Sequence, residues 1–236
     1  MKVEIPTHID DIKLSEYQKY AIVAKDNTDQ DFLLHKTLSV FCDLPMQTVA
    51  QFPIQEAEDI AVEIQTVLNQ DRSFTDKFEM DGVKYGFIPN LEEMTLGEYI
   101  DLEEFLKDPK DLHKAASVMY RPIVKEYKNL YDIEPYNGSV RAHETMKDAP
   151  LGVISAAVVF FYRLGNELLT HSLVSLRQAE KETLTIVEKD NLLKSTAGLI
   201  ASMLYPEEIL LNSKPLQRPT FSQHYSISST PKEKQK

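Results

Sequence analysis

Two pairs of neighbouring carboxylates, Asp10-Asp11 and Glu92-Glu93, are the residues of this chain best suited by type to acid–base or metal chemistry. General acid–base work requires such groups to converge on a pocket within hydrogen-bond reach of a substrate. Adjacency in sequence does not supply that arrangement. Each pair also stands just ahead of a predicted helix, where the backbone dipole already favours negative charge, so helix-start stabilisation is the simpler role. Asp10, Asp11, Glu92 and Glu93 are therefore the acids on which an enzymatic alternative would have to rest. His35 and His113 have no nucleophile or metal-ligand cluster beside them in sequence, and a structural role is expected for both. Cys42, the single cysteine, excludes an internal disulfide and a cysteine zinc site. Its neighbours Val40, Phe41 and Leu44 predict a buried, inert thiol and a reducing compartment. Nucleotide-loop, zinc-protease, serine-elbow and EF-hand patterns are all missing, and no cofactor is expected.

Surface chemistry offers more. Glu98, Asp101, Glu103, Glu104 and Asp108 place a run of acids along one predicted helix, either as a solvated face or as a dock for a basic partner. Arg121, between Tyr120 and Pro122, can pair with a carboxylate of its own domain or reach outward. The candidate partner-binding residues are Tyr99, Asp101, Glu104, Tyr120, Arg121 and, in the tail, Arg218.

The charge balance points the same way. At 236 residues and a net charge of −11, the chain lacks the clustered Lys and Arg that phosphate contacts need, which argues against nucleic acid. The N-terminus has no signal-peptide core, and the strongest apolar run, over 149–162, falls short of the roughly 20 residues of a bilayer span. Seven glycines are few for this length and favour helices over a Gly-rich β fold. The segment from Asn212 carries three prolines and five basic residues against one acid, which predicts a flexible basic tail on an acidic body.

The expected fold is mainly α (α+β). Apolar spacing predicts helices over 14–25, 30–42, 55–69, 151–177 and 191–204. Lys77–Met80, Asp81-Gly82 and Val83–Ile88 predict a hairpin with a type I′ turn. Thr95 with Glu98 fits a capping box, and Asp108-Pro109 fits a cap followed by proline at the first helical position. Pro122 is expected to break or kink the helix that follows.

The chain also repeats itself. Ile9-Asp-Asp-Ile-Lys-Leu-Ser-Glu-Tyr17 matches Leu91-Glu-Glu-Met-Thr-Leu-Gly-Glu-Tyr99 in character, and Leu34-His-Lys36 matches Leu112-His-Lys114. This predicts a duplicated helical unit, with residues 1–5 joining the hairpin in a small three-stranded sheet. The expected organisation is residues 1–75 as the first unit, 76–211 as hairpin plus second unit, and 212–236 as tail.

Phe87-Ile-Pro-Asn-Leu with Thr95-x-Gly-Glu-Tyr-Ile-Asp-Leu102, then Leu112-His-Lys and Val118-Met-Tyr-Arg-Pro-Ile123, resembles bacteriophage virion-assembly proteins of the tail-assembly-chaperone type, as does the aromatic helix over 156–169. That resemblance implies a non-catalytic protein of the host cytoplasm. Such a protein shields a tape measure or another tail or virion component until assembly, and self-association into a homo-oligomer is left open. The alternatives are a stable structural subunit carried in the virion and, from another class, an enzyme using the paired acids.

Overall fold

A computed structural model describes residues 3–25, 27–128 and 130–163. Helices dominate: α1 (Leu14–Lys25), α2 (Gln30–Phe41), α3 (Met46–Val49) and α4 (Ile54–Leu68) precede strands β1 (Lys77–Met80) and β2 (Val83–Phe87). Then come α5 (Leu96–Phe105), α6 (Leu112–Met119), β3 (Tyr120–Tyr127), β4 (Leu130–Ile133), α7 (Val140–Thr145) and a helix, α8, described over 151–163. The expected helices beyond 163 and the basic tail lie outside the described residues.

The mainly α, α+β class holds, with one correction. The sheet has four antiparallel strands in the order β1-β2-β3-β4, and residues 3–6 are irregular and take no part in it. The place expected for residues 1–5 is filled by β3, whose Tyr120, Arg121 and Pro122 pair with Phe87, Gly86 and Tyr85. Asp81 and Gly82 both have positive φ, 51° and 75°, as the type I′ turn requires.

Pro122 ends the helix before it, as expected, and itself lies within the strand that follows. A residue before proline is pushed away from α geometry, so α6 must end before Arg121, and Tyr120 is already extended (φ −119°, ψ 128°). The phase of the ladder spares the β2 side, and the donor that proline lacks faces Glu134, at the end of the β3–β4 ladder. Ile88 N–H donates to the Met119 carbonyl at 3.0 Å, so residues at alternate steps along β3 bond β2 and Pro122 falls on an off-step. Its carbonyl serves the other side, accepting from Glu134 N–H at 2.9 Å.

A main core gathers Ile9, Ile12 and Leu14, the inner faces of α4, α5 and α6, the sheet, and Leu151, Ile154 and Phe161 of α8. One cluster thus takes side chains from both sides of the expected boundary at 75/76. A smaller cluster, Leu34, Leu38, Val49, Ala57 and Ala61, joins α2, α3 and α4. Phe87 is the hub of the aromatic contacts, with ring centroids 4.9 Å from Phe74, 5.3 Å from Tyr120 and 5.4 Å from Phe161. The N-terminal segment is stitched to the start of α8: Leu14 N–H donates to Ala149 and Leu151 N–H to Ile12, both at 2.9 Å.

The order 3₁₀ turn, helix, helix occurs at Ile9–Asp11, α1 and α2, and again at Leu91–Glu93, α5 and α6 (the last preceded by the Pro109–Asp111 turn). Of the two stretches only the second is joined to the sheet, through β2 before it and β3 after it.

The two stretches meet at Gln18 of α1, a buried amide. Its Nε2 lies 2.7 Å from the Pro109 carbonyl, 2.8 Å from that of Lys110 and 3.1 Å from His113 Nδ1. An amide nitrogen only donates, so this contact is a hydrogen bond when His113 Nδ1 is the bare nitrogen of a neutral ring, the two amide hydrogens being shared among three acceptors. Burial holds His113 below its ordinary pKa, and the nearby Lys147 and Lys114 add to this against Glu144 and Asp111. Burial lowers His143 similarly. The folded chain therefore binds fewer protons than the unfolded chain once pH falls through about 6.5, so this contribution is present above that value and lost below it. The melting temperature is expected to drop between pH 7 and pH 5, and less steeply in His113→Gln. Equal slopes in a pH series of thermal melts would contradict the neutral-ring assignment.

On the far face of the sheet Tyr131 lies across Gly86, and a Cβ there would come within 2.8 Å of the ring Cδ2. The Tyr131 hydroxyl also donates to the Phe87 carbonyl at 2.9 Å. Gly86→Ala should cost about 1–3 kcal/mol in urea unfolding by overpacking. Tyr131→Phe, which keeps the ring, should cost only about 1 kcal/mol.

Candidate functional site

Thr95 and Glu98 start α5 as the expected capping box. Glu98 N–H donates to Thr95 Oγ1 at 3.3 Å, and Glu98 Oε2 accepts from Thr95 N–H at 2.6 Å. A second contact goes further than the capping box. Arg121 Nη2 stands 2.6 Å from Glu98 Oε1, and the two residues are only 9% and 4% exposed. Burial alone would raise the Glu98 carboxyl. The Thr95 N–H and hydroxyl together with the guanidinium outweigh it and hold Glu98 below its ordinary value. The Arg121 guanidinium also lies over the Tyr136 ring, 6.0 Å from its centroid, and the Tyr136 hydroxyl donates to Asp101 Oδ2 at 2.6 Å.

These contacts redistribute the candidate residues. Tyr120 is fully buried, its hydroxyl donating to the Thr75 carbonyl, so the outward role expected of it is corrected to a core one. Arg121 takes the inward of its two expected roles, and Asp101 is engaged by Tyr136. Tyr99 is half-buried and Glu104 is exposed, paired with Lys107 at 2.8 Å. Arg218 lies outside the described residues.

Unexpected from the sequence is an apolar stripe on α5 beside Glu103 and Glu104. Leu96 is 74% exposed and Ile100 53%, one turn apart. At 100° per residue they share a stripe with Glu103 and Glu104, opposite the buried Glu98 and Leu102. The match in residue character between the two stretches contained the signal. Leu96 and Ile100 correspond to Leu14 and Gln18 of α1, which are 0% and 5% exposed because residues 109–113 and 149–151 cover them.

Asp10, Asp11 and Glu93 each face a separate partner. Asp11 Oδ2 accepts from His8 N–H at 2.8 Å and Thr7 N–H at 3.0 Å, which lowers its pKa and closes the first turn. Asp10 stands against Gly152 at the start of α8, and Glu93 Oε1 accepts from the Asn90 amide at 2.9 Å. Among the described residues no group of three His, Cys, Asp or Glu side chains is placed to hold a metal ion. Cys42 is buried, and burial pushes its thiol up to about 11, so little thiolate forms near neutrality. No described helix is long and apolar enough to cross a membrane. Compared with protein-family models, curated proteins and solved structures, the chain finds no match.

Removing one partner of the buried pair leaves the other charge stranded. Arg121→Met and Glu98→Gln should each cost about 3–5 kcal/mol, whereas replacing both together should cost less than the two losses added. Additive urea midpoints would show that the pair is not coupled.

Proposed function

We propose that the chain is a non-catalytic binding protein of bacteriophage assembly. In this reading it acts in the host cytoplasm as a tail-assembly chaperone, and its client is a structural protein such as the tape measure. What supports the reading is the outer stripe of α5. Leu96 and Ile100 occupy places whose counterparts on α1 are buried against another part of the chain, yet on α5 they stand in water beside Glu103 and Glu104. An apolar pair at i and i+4 with flanking carboxylates suits an apolar client segment lying along the helix, with the acids keeping the complex in solution. The buried Glu98–Arg121 pair fixes the helix to the sheet, so the stripe is presented by a rigid element.

The test is affinity capture from infected cells with wild-type chain and with the Leu96→Asp, Ile100→Asp double variant. Both positions are exposed, so stability should change by no more than about 0.5 kcal/mol. Client recovery should fall at least tenfold, about 1.4 kcal/mol of binding. Undiminished recovery would remove α5 from the proposal. Stoichiometric presence of the chain in purified particles would make it a structural subunit of the virion instead.

A further inference from the structure

An asparagine side chain followed by glycine can close on the backbone behind it, because no Cβ shields the glycine nitrogen. The chain holds that pair once, at Asn137-Gly138. The other described asparagines precede Thr28, Gln70 and Leu91, whose side chains crowd the same nitrogen. Asn137 and Gly138 are both exposed, in the irregular stretch 134–139 between β4 and α7. Among the described residues neither makes a backbone–backbone hydrogen bond that would hold the peptide against rotation, and neither Asn137 Nδ2 nor Gly138 N–H has an acceptor. One contact is made instead. Ser139 N–H donates to Asn137 Oδ1 at 3.0 Å, which folds the side chain forward over the Gly138 peptide. A donor on that oxygen also draws electrons from Cγ and steadies negative charge arriving on Oδ1.

We infer that Asn137-Gly138 is a site of spontaneous covalent modification, where Asn137 passes through a cyclic imide to aspartate and isoaspartate, and that the isoaspartate frees Tyr136. The Gly138 nitrogen gives its proton to solvent hydroxide and attacks Asn137 Cγ. As the C–N bond forms, the carbonyl electron pair moves onto Oδ1. Its return breaks the bond to Nδ2, which takes a proton from water and leaves as ammonia. Water then opens the ring at either carbonyl. Opening at Cγ gives aspartate, and opening at the backbone carbonyl gives isoaspartate, whose main chain runs through Cβ and Cγ and is one carbon longer. Water is the only co-reactant, and nothing is oxidised or reduced. The neighbour of the lengthened residue is Tyr136, whose hydroxyl donates to Asp101 at 2.6 Å and whose ring lies against the Arg121 guanidinium. The loop packs back on the same tyrosine, since a Cβ at Gly138 would stand 3.8 Å from its hydroxyl. A longer main chain at 137 draws Tyr136 away from both partners and so loosens α5 from the loop side. The inference does not rest on the proposed client.

Incubation of the full chain in mildly alkaline buffer, followed by peptide mass spectrometry, tests it. The peptide carrying residue 137 should exchange ammonia for water and contain isoaspartate, faster as pH rises, because the attacking nitrogen must lose its proton. Asn137→Gln should abolish the change, and Gly138→Ala should slow it at least about tenfold, or about 1.4 kcal/mol of barrier. In the isoaspartate fraction the nuclear Overhauser contacts between the Tyr136 ring and the Arg121 side chain should be lost. Asn137→Asp, which adds the charge without lengthening the chain, should keep them. An Asn137 that outlasts Asn27, Asn69 and Asn90 overturns the modification site. Contacts kept in the isoaspartate form, or lost equally in Asn137→Asp, overturn the release of Tyr136.

Discussion

The contact between Glu98 and Arg121 ties together parts of the chain that would otherwise be indifferent to one another. Glu98 closes the first turn of α5, Arg121 opens β3, and each is costly to bury alone. Together, with the Thr95 donors and the Tyr136 ring around them, they set the orientation of α5 relative to the sheet. Because the inward face of α5 is committed to this ion pair and to Leu102, the opposite stripe is committed to solvent or to another molecule. The candidate surface is thus a consequence of what lies beneath it.

The sheet is held from its other side by aromatic packing. Phe87 and Tyr120 are paired across β2 and β3, and Phe74, Phe78, Phe160 and Phe161 close around them in edge-on, tilted and stacked arrangements. Such contacts add about 0.5–1.5 kcal/mol each beyond area burial, and they depend on a register that places every second side chain inward. Burial of the Tyr120 hydroxyl raises its pKa far above the ordinary tyrosine range, in keeping with a ring committed to the interior. The two faces of the sheet are therefore unlike. One is an aromatic core, and the other holds Gly86 under Tyr131 with Lys77 and Lys84 gripping Glu126.

Local chemistry was legible in the sequence wherever a few neighbouring residues decide the outcome. The Asp81-Gly82 turn, the Thr95–Glu98 box, the Asp108 cap and α1 all fall where spacing placed them. Strands β3 and β4 were not legible. Tyr120–Tyr127 contains the β-branched and aromatic residues of a strand, but Pro122 signals only the helix stop, and it takes the phase of pairing with β2 to show how a strand accommodates proline there. The core role of Tyr120 and the bond of Asp101 to Tyr136 were equally hidden. Tyrosine and aspartate are common on surfaces, and their partners, the Thr75 carbonyl and the Tyr136 hydroxyl, are distant in sequence. Exposure of Leu96 and Ile100 is a tertiary fact too, since the same positions on α1 are covered.

The comparison of α1 with α5 shows how similar sequences acquire different duties. In both, a glutamate at the third helical position reaches back to a backbone N–H at the helix start: Glu16 to Lys13 at 2.9 Å, Glu98 to Thr95 at 2.6 Å. Only Glu98 gains a buried arginine, because only its stretch runs on into a strand that carries Arg121 beneath it. Lys13 instead bonds Asp148 at 2.8 Å, joining α1 to the segment that leads into α8. With α1 clasped between residues 109–113 on one side and 149–151 on the other, its Leu14 and Gln18 have no contact left to offer. The corresponding places on α5 meet no such clasp. A stripe that one helix uses to hold the chain together is, on the other, left over for something outside it.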